Sequence, residues 1–82
     1  MKAKIYISYK EGILDPQGKT VNDALDSIGI NKIKSVRVGK YIEMEFKGVS
    51  KQEAIDIADE ACRKLLANPN TETYSFEIVG QE

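Results

Sequence analysis

Two short segments, one near each end of this chain, alternate strictly between apolar and polar residues. They are residues 3–9, AKIYISY, and residues 73–79, TYSFEIV. Successive side chains of a strand point to opposite faces of a sheet, so this alternation is typical of strands that bury one face. Each of these strands needs a second layer over its apolar face. In a chain of 82 residues, that layer has to come from the segments between them.

The first of these segments has the spacing of an amphipathic helix. Asp15 can accept bonds from the free amides of a helix start, and Pro16 suits the first helical position. Thr20 is a second candidate for the start, several residues later. Gly29 is typical of a helix end. The apolar face is predicted at i, i+3, i+4 and i+7, by Val21, Ala24, Leu25 and Ile28.

A second helix is indicated more strongly, over residues 50–67. Ser50-Lys51-Gln52-Glu53 has the pattern of a capping box, and Asn68-Pro69 ends the helix. The predicted buried stripe consists of Ala54, Ile57, Ala58, Ala61 and Leu65, flanked by Ile55, Cys62 and Leu66.

Residues 33–47, IKSVRVGKYIEMEFK, are rich in β-formers and interrupted by Gly39-Lys40, which predicts a hairpin. A two-residue turn at Gly39-Lys40 puts the valines of the first arm and the apolar residues of the second arm on opposite sheet faces. That arrangement implies that both faces are covered, as in an oligomer. A three-residue loop from Gly39 to Tyr41, or a bulge, joins both sets in one core. The sets are Val36 and Val38 on one arm and Ile42, Met44 and Phe46 on the other.

The resulting order is β-α-β-β-α-β in one domain, residues 1–82. This predicts an α+β, ferredoxin-like fold with a four-stranded antiparallel sheet and two helices on one face. The fold serves too many functions to indicate one of them.

The composition excludes several kinds of chemistry. The chain has no histidine, so the usual general base and commonest metal ligand are missing. Its 12 basic and 13 acidic residues give a net charge of −1, which argues against nucleic-acid binding by phosphate neutralisation. No apolar run approaches the roughly 20 residues of a membrane span. The lone Cys62 cannot form an internal disulfide, which is typical of a reducing cytoplasm. We therefore expect no catalytic residues, metal or cofactor in this chain.

One segment invites comparison with a phosphate-binding loop. Gly12 is followed by Gly18-Lys19-Thr20, but five residues separate the two glycines where the motif has four. Pro16 removes one of the amides that would wrap the phosphates, and Asp15 adds a repelling charge. The likeness is accidental.

Three blocks of sequence together are more specific. They are residues 14–25, LDPQGKTVNDAL, residues 36–44, VRVGKYIEM, and residues 62–69, CRKLLANP. In this order and spacing they resemble the PurS family, the small subunit of phosphoribosylformylglycinamidine synthase in purine biosynthesis. The resemblance covers essentially the whole chain.

The resemblance implies a non-catalytic role in an enzyme complex, an ATP-dependent carbon–nitrogen ligase with glutamine as amide donor. A glutaminase subunit (PurQ) releases ammonia, and a synthetase subunit (PurL) uses ATP and Mg²⁺ to activate the substrate. The PurS chain, as a dimer or tetramer, is expected to bridge the two and support ammonia transfer. This chain would then need no cofactor of its own.

We expect the partner subunits to bind at the helix start and the predicted hairpin tip, since loops and helix starts carry many binding residues. Helix-start and turn geometry offers an equally good explanation for Pro16, Gly18 and Gly39. An alternative function is a stand-alone regulatory domain of βαββαβ type that binds a small molecule. The candidate partner-binding residues are Asp15, Pro16, Gln17, Gly18, Lys19, Arg37, Gly39, Lys40 and Tyr41.

Overall fold

The computed structural model describes residues 1–80, which contain a three-stranded antiparallel sheet. Strand β1 (Lys2–Tyr9) lies in the centre, with β2 (Lys40–Glu45) on one side and β3 (Glu72–Val79) on the other. The two alternating segments are strands, as predicted. The register puts Ile5 opposite both Ile42 and Phe76, so the apolar residues of all three strands share the inner face.

Helix α2 (Lys51–Ala61) covers the inner face over β1 and β3. Both bonds of the predicted capping box are present between Ser50 and Glu53. The helix continues as a π-helical turn (Cys62–Leu66), in which the Ala67 amide donates to the Cys62 carbonyl at 3.1 Å. The core consists of Ala3, Ile5, Ile7, Ala58, Cys62 and Ala67.

The predicted stripe of α2 is partly wrong. Ala54 and Ala58 are buried as expected, but Leu65 is 81% exposed and Ile57 is 42% exposed. The side of the helix that faces the sheet runs through Ala54, Ala58 and Cys62. For Leu65 the reason is the π-helical turn, which adds residues to the last turn so that a spacing of 3.6 residues no longer predicts which side chains face inward. Ile57 lies before that turn, beside the row of Ala54, Ala58 and Cys62.

Helix α1 (Pro16–Ser27) begins at Asp15 and is followed by Gly29 with a φ of +89°, both as predicted. It does not cover the sheet. Within the helix only Gly18 is buried, and Ile28, just after it, is 71% exposed. The chain is elongated, with extents of 50 × 26 × 14 Å. This corrects the prediction of two helices on one face for a single chain.

The predicted hairpin is not found within a single chain either. Residues 31–39 form no strand, and Gly39 is not among the residues with positive φ, which a tight hairpin turn requires. The Val38 amide instead donates to the Asp15 carboxylate. Because residues 36–38 are held at the start of α1, they cannot fold back along β2. The described part of one chain therefore has three strands, not four.

Candidate partner-binding site

The Asp15 carboxylate joins the start of α1 to the segment before β2. One oxygen, Oδ1, accepts a bond from the Gly18 amide at 2.9 Å, and Oδ2 accepts one from the Val38 amide at 2.7 Å. These two bonds, together with the nearby Arg37 charge, lower the pKa of Asp15 below its ordinary value. A single side chain thus caps the helix and fixes a segment 23 residues further along.

Arg37 ties the same segment to the end of β1. Its Nη2 donates to the Tyr9 carbonyl at 2.6 Å and to the Lys10 carbonyl at 3.1 Å. The acceptors are the last residue of β1 and the first residue of the segment that leads from β1 towards α1. The guanidinium therefore supports the loop in addition to presenting a charge.

Two glycines are required where these segments meet. A Cβ on Gly18 would lie 2.1 Å from the Val36 carbonyl oxygen, and one on Gly39 would lie 2.6 Å from the Ile7 carbonyl oxygen. Both obstacles are backbone atoms, which cannot swing away as a flexible side chain can. We call the arrangement formed by Asp15, Gly18, Val36, Arg37 and Val38 the clamp.

A small crevice opens beside the clamp, at the end of the sheet. Gln17 from α1, Gly39 and Lys40 line one part of it, and Tyr9 and Glu72 line another. The Lys40 ammonium lies 3.8 Å from the Glu72 carboxylate, and the Lys40 side chain is 60% exposed. The crevice therefore presents an accessible positive charge close to a carboxylate. We call these five residues the crevice.

Tyr41 lies apart from the crevice, on the outer face of the sheet. It is half exposed and packs against Tyr6, with ring centroids 5.2 Å apart. Its hydroxyl donates to a Glu43 carboxylate oxygen at 2.6 Å, which raises the pKa of Tyr41 to about 12. This exposed pair of tilted tyrosine rings is an amphipathic patch, and tyrosine is enriched at protein interfaces.

The structure thus brings together most of the residues predicted from sequence. Asp15, Gly18 and Arg37 belong to the clamp, and Gln17, Gly39 and Lys40 belong to the crevice. Pro16 occupies the first helical position. Lys19 points to solvent and pairs with Asp23 at 3.0 Å, and Tyr41 belongs to a separate patch.

Sequence reasoning missed the contributions of Val36, Val38 and Glu72. The two valines alternate as a strand does, so their pattern predicts a core position and gives no sign of the bonds their backbone makes. Glu72 opens β3, and nothing in its sequence neighbourhood connects it to Lys40.

No group of three or more His, Cys, Asp or Glu residues suited to hold a metal ion occurs within residues 1–80. Among the same residues, no helix is long and apolar enough to cross a membrane.

The fold and the site define a small α+β protein of the kind that works through contacts with other chains. Comparison with known proteins identifies the family. Residues 2–80 match the family model PurS: Phosphoribosylformylglycinamidine (FGAM) synthase. The chain belongs to this family, which comprises small subunits of that ligase complex.

Individual relatives agree over nearly the full length. The phosphoribosylformylglycinamidine synthase subunit PurS of Bacillus subtilis is 43% identical over 77 residues, covering 94% of this chain and 90% of the relative. The crystal structure of Methanocaldococcus jannaschii PurS matches with a TM-score of 0.86 and 33% identity, covering 99% of this chain and 98% of that one. A chain in the structure of PurLQS from Thermotoga maritima matches with a TM-score of 0.83 and 33% identity, covering 93% of both chains.

Proposed function

We propose that this chain is the bridging subunit of phosphoribosylformylglycinamidine synthase. It joins a PurQ glutaminase to a PurL synthetase and supports the transfer of ammonia between them. The observation that carries the proposal is the match to a chain of the Thermotoga maritima PurLQS structure over 93% of both chains. The same reading places the chain in the cytoplasm, where it needs no disulfide for its single buried cysteine.

The chemistry belongs to the partners in this proposal. ATP and Mg²⁺ are used by the synthetase, and glutamine is hydrolysed by the glutaminase. This chain contributes surfaces. Confining ammonia between two active sites needs a fixed arrangement of the subunits. The clamp would contribute to it by fixing the start of α1 relative to the segment before β2.

The nine residues named from the sequence are the proposed docking residues: eight lie around the start of α1 and Gly39, and Tyr41 lies in a separate patch on the outer face of the sheet. Among them, the clamp residues hold the loop shape, while Gln17, Lys19, Lys40 and Tyr41 keep accessible side chains. Pro16 supports the helix start from which Gln17 and Lys19 project. Arg37 bonds to two carbonyls at 2.6 and 3.1 Å, whereas Lys40 makes a longer, 3.8 Å ion pair with Glu72 and stays 60% exposed. Lys40 is therefore the charge better placed to meet a partner carboxylate.

We also propose that the four-stranded, ferredoxin-like sheet is completed only when copies of this chain associate as a dimer or tetramer. Within residues 1–80, β2 pairs only with β1, and β3 pairs only with β1. Both outer edges are therefore available for another strand, and open edges readily pair with a second chain.

The docking residues can be tested by charge reversal. Lys40→Glu should weaken binding to the PurL and PurQ subunits by about tenfold, because it repels a carboxylate that the ammonium attracts. The measurement is co-elution and titration of the three subunits. Lys51→Glu, a charge reversal at another exposed lysine at the start of α2, is the matched control and should bind normally. Unchanged assembly of Lys40→Glu would show that Lys40 does not contact a partner.

A further inference from the structure

Strand β3 is an open edge of the sheet over its whole length. Its residues, Glu72–Val79, pair with β1 without interruption, and within residues 1–80 no strand lies on its other side. Proteins usually protect an exposed edge with a short strand, a bulge, a proline or a lysine. The segment ETYSFEIV has none of these features. A long, regular and unprotected edge is suited to receive another strand.

Side-chain contacts hold β3 against α2. The Tyr74 hydroxyl donates to one Asp59 carboxylate oxygen at 2.6 Å, and Arg63 Nε donates to the other oxygen at 2.9 Å. Tyr74 also stacks on Phe76, with ring centroids 6.4 Å apart and planes inclined by 8°. The strand is thus fixed from the inner face of the sheet. A segment that binds at its edge would not have to order β3 first, which lowers the entropic cost of binding.

The inner side chains of β3 keep apolar surface open at the edge. Tyr74, Phe76 and Ile78 are only partly buried. Ile7 and Ile5 of β1 lie opposite the two aromatic residues, and α2 packs on both β1 and β3. The side that neither β1 nor α2 covers is the open edge. A strand added there would bury apolar surface in addition to forming backbone hydrogen bonds.

The charge of β3 indicates the chemistry of the added strand. Glu72 and Glu77 are the charged residues of β3, so the strand carries two carboxylates and no basic group. Glu72 already has the Lys40 ammonium 3.8 Å away. The cross-strand neighbour of Glu77 is Lys4, but the same lysine also lies opposite Glu43. An incoming segment with a lysine or arginine beside Glu77 is therefore favoured, because opposite charges on neighbouring strands attract.

These features do not favour a second copy of this chain at the β3 edge. An antiparallel seam between two β3 strands would bring four carboxylates together, with no basic residue from either strand. A pair of copies also needs only one edge of each sheet to gain a fourth strand. Glu72, at the start of β3, lines the crevice together with Gln17 and Lys40. A partner that contacts those two docking residues therefore also reaches the β3 edge.

We infer that the open edge of β3 binds an extended segment of a PurL or PurQ subunit as an added strand. The segment pairs with β3 through backbone hydrogen bonds, places apolar side chains beside Tyr74 and Phe76, and presents a basic side chain to Glu77. The inference rests on the proposed function, since it needs a partner subunit. It goes beyond the nine docking residues, because none of them belongs to β3.

Hydrogen exchange tests the added strand directly. Residue-resolved exchange rates are measured for the isolated chain, in the oligomeric state that it adopts, and for the chain with PurL, with PurQ and with both. Alternate amides of an edge strand point to the neighbouring strand and to the open edge. We expect every second amide of Glu72–Val79 to exchange at least about tenfold more slowly in the complex. The remaining amides should be protected by β1 throughout.

The outcomes separate this inference from the proposed function. A complex that forms while β3 exchanges as it does in the isolated chain would overturn the inference and leave the bridging role intact. Edge amides that are already slow in the isolated chain would show that a second copy, and not a partner subunit, pairs with β3. Failure to form any complex would overturn the proposed function and the inference with it.

Charge reversal at Glu77 provides an independent readout. Glu77 is exposed, so Glu77→Lys should keep the fold by circular dichroism. It should weaken binding of the subunit that slows β3 exchange by about tenfold, and Glu77→Gln should weaken it less. Glu60→Lys, the same reversal on the exposed side of α2, is the matched control and should bind normally. Equal binding of wild type and Glu77→Lys would contradict the inferred basic segment.

Discussion

Asp15 determines the course of the chain at the residue scale. Its carboxylate is the cap of α1 and also the partner of the Val38 amide. An asparagine or serine would cap the helix as well, but neither presents two charged oxygens to two segments at once. The combination explains why an acidic residue stands at this helix start although nothing catalytic surrounds it.

Replacing Asp15 by Asn should change how stability depends on acid. The pKa of Asp15 is lowered in the folded protein relative to its ordinary value of 3.8, chiefly by the two amide bonds. The stabilisation is therefore present above pH 4 and is lost as the pH falls through the lowered pKa. Asp15→Asn should lower the melting temperature at pH 7 by roughly 4–8 °C. It should also make the melting temperature fall less steeply as the pH is lowered. Asp15→Ser, which keeps a capping oxygen without titrating, is the control. A melting curve of Asp15→Asn that still declines with acid as steeply as that of wild type would show that other carboxylates dominate.

Gly18→Ala tests the clamp, because it should destabilise the protein where the same substitution in an ordinary helix stabilises it. Replacing a helical Gly by Ala usually stabilises by about 0.5–1 kcal/mol. Here the new methyl would meet the Val36 carbonyl oxygen, so Gly18→Ala should instead lower the free energy of unfolding by about 1–3 kcal/mol. Urea denaturation at one fixed protein concentration measures it. Asp26→Ala, on an exposed turn of α1, should stay within about 0.5 kcal/mol of wild type. Stabilisation by Gly18→Ala would mean that the contact with Val36 is not formed.

The two helices differ in how their positions are determined at the element scale. Helix α2 is fixed by local signals, the capping box and small residues that allow close approach to β1. Helix α1 has equally clear local signals, but its position is set by contacts between residues far apart in sequence.

Ser50→Ala tests the local signals of α2. It removes the acceptor of the Glu53 amide bond and should lower the free energy of unfolding by about 1 kcal/mol. Chemical denaturation is the measurement. Glu53→Gln keeps the reciprocal bond to the Ser50 amide and should lose clearly less. Equal losses for the two variants would indicate that the charge of Glu53, rather than the capping box, stabilises the helix start.

The sequence predicts the features of this fold that depend on local patterns, and it does not predict those that depend on contacts between distant residues. The alternation of residues 3–9 and 73–79, the start of α1 at Asp15 and the capping box of α2 are all local patterns, and the structure contains each of them. The hairpin at Gly39 was predicted from β-forming composition, but composition does not reveal that Val38 bonds to Asp15. For the same reason the site was predicted as two separate segments, and their meeting in the clamp and crevice was not.

On the scale of the whole molecule, a single chain leaves, within residues 1–80, one helix and both edges of its sheet uncovered. Its elongated shape, the uncovered α1 and the open edges of the sheet all point to association. Family membership supplies the partners that composition could not indicate. A small subunit whose helix start is tied to a distant segment by Asp15 and Arg37 suits the proposed role, in which the chain contributes geometry rather than chemistry to the complex.

The measurement that tests the central claim most directly is reconstitution of the ligase with and without this chain. PurL and PurQ subunits from the same source are assayed for amidine formation, first with glutamine and then with free ammonia. We predict that glutamine-dependent activity requires this chain, whereas ammonia-dependent activity changes little, because bridging matters only when ammonia must travel between subunits. If glutamine-dependent activity is the same without the chain, it is not the bridging subunit.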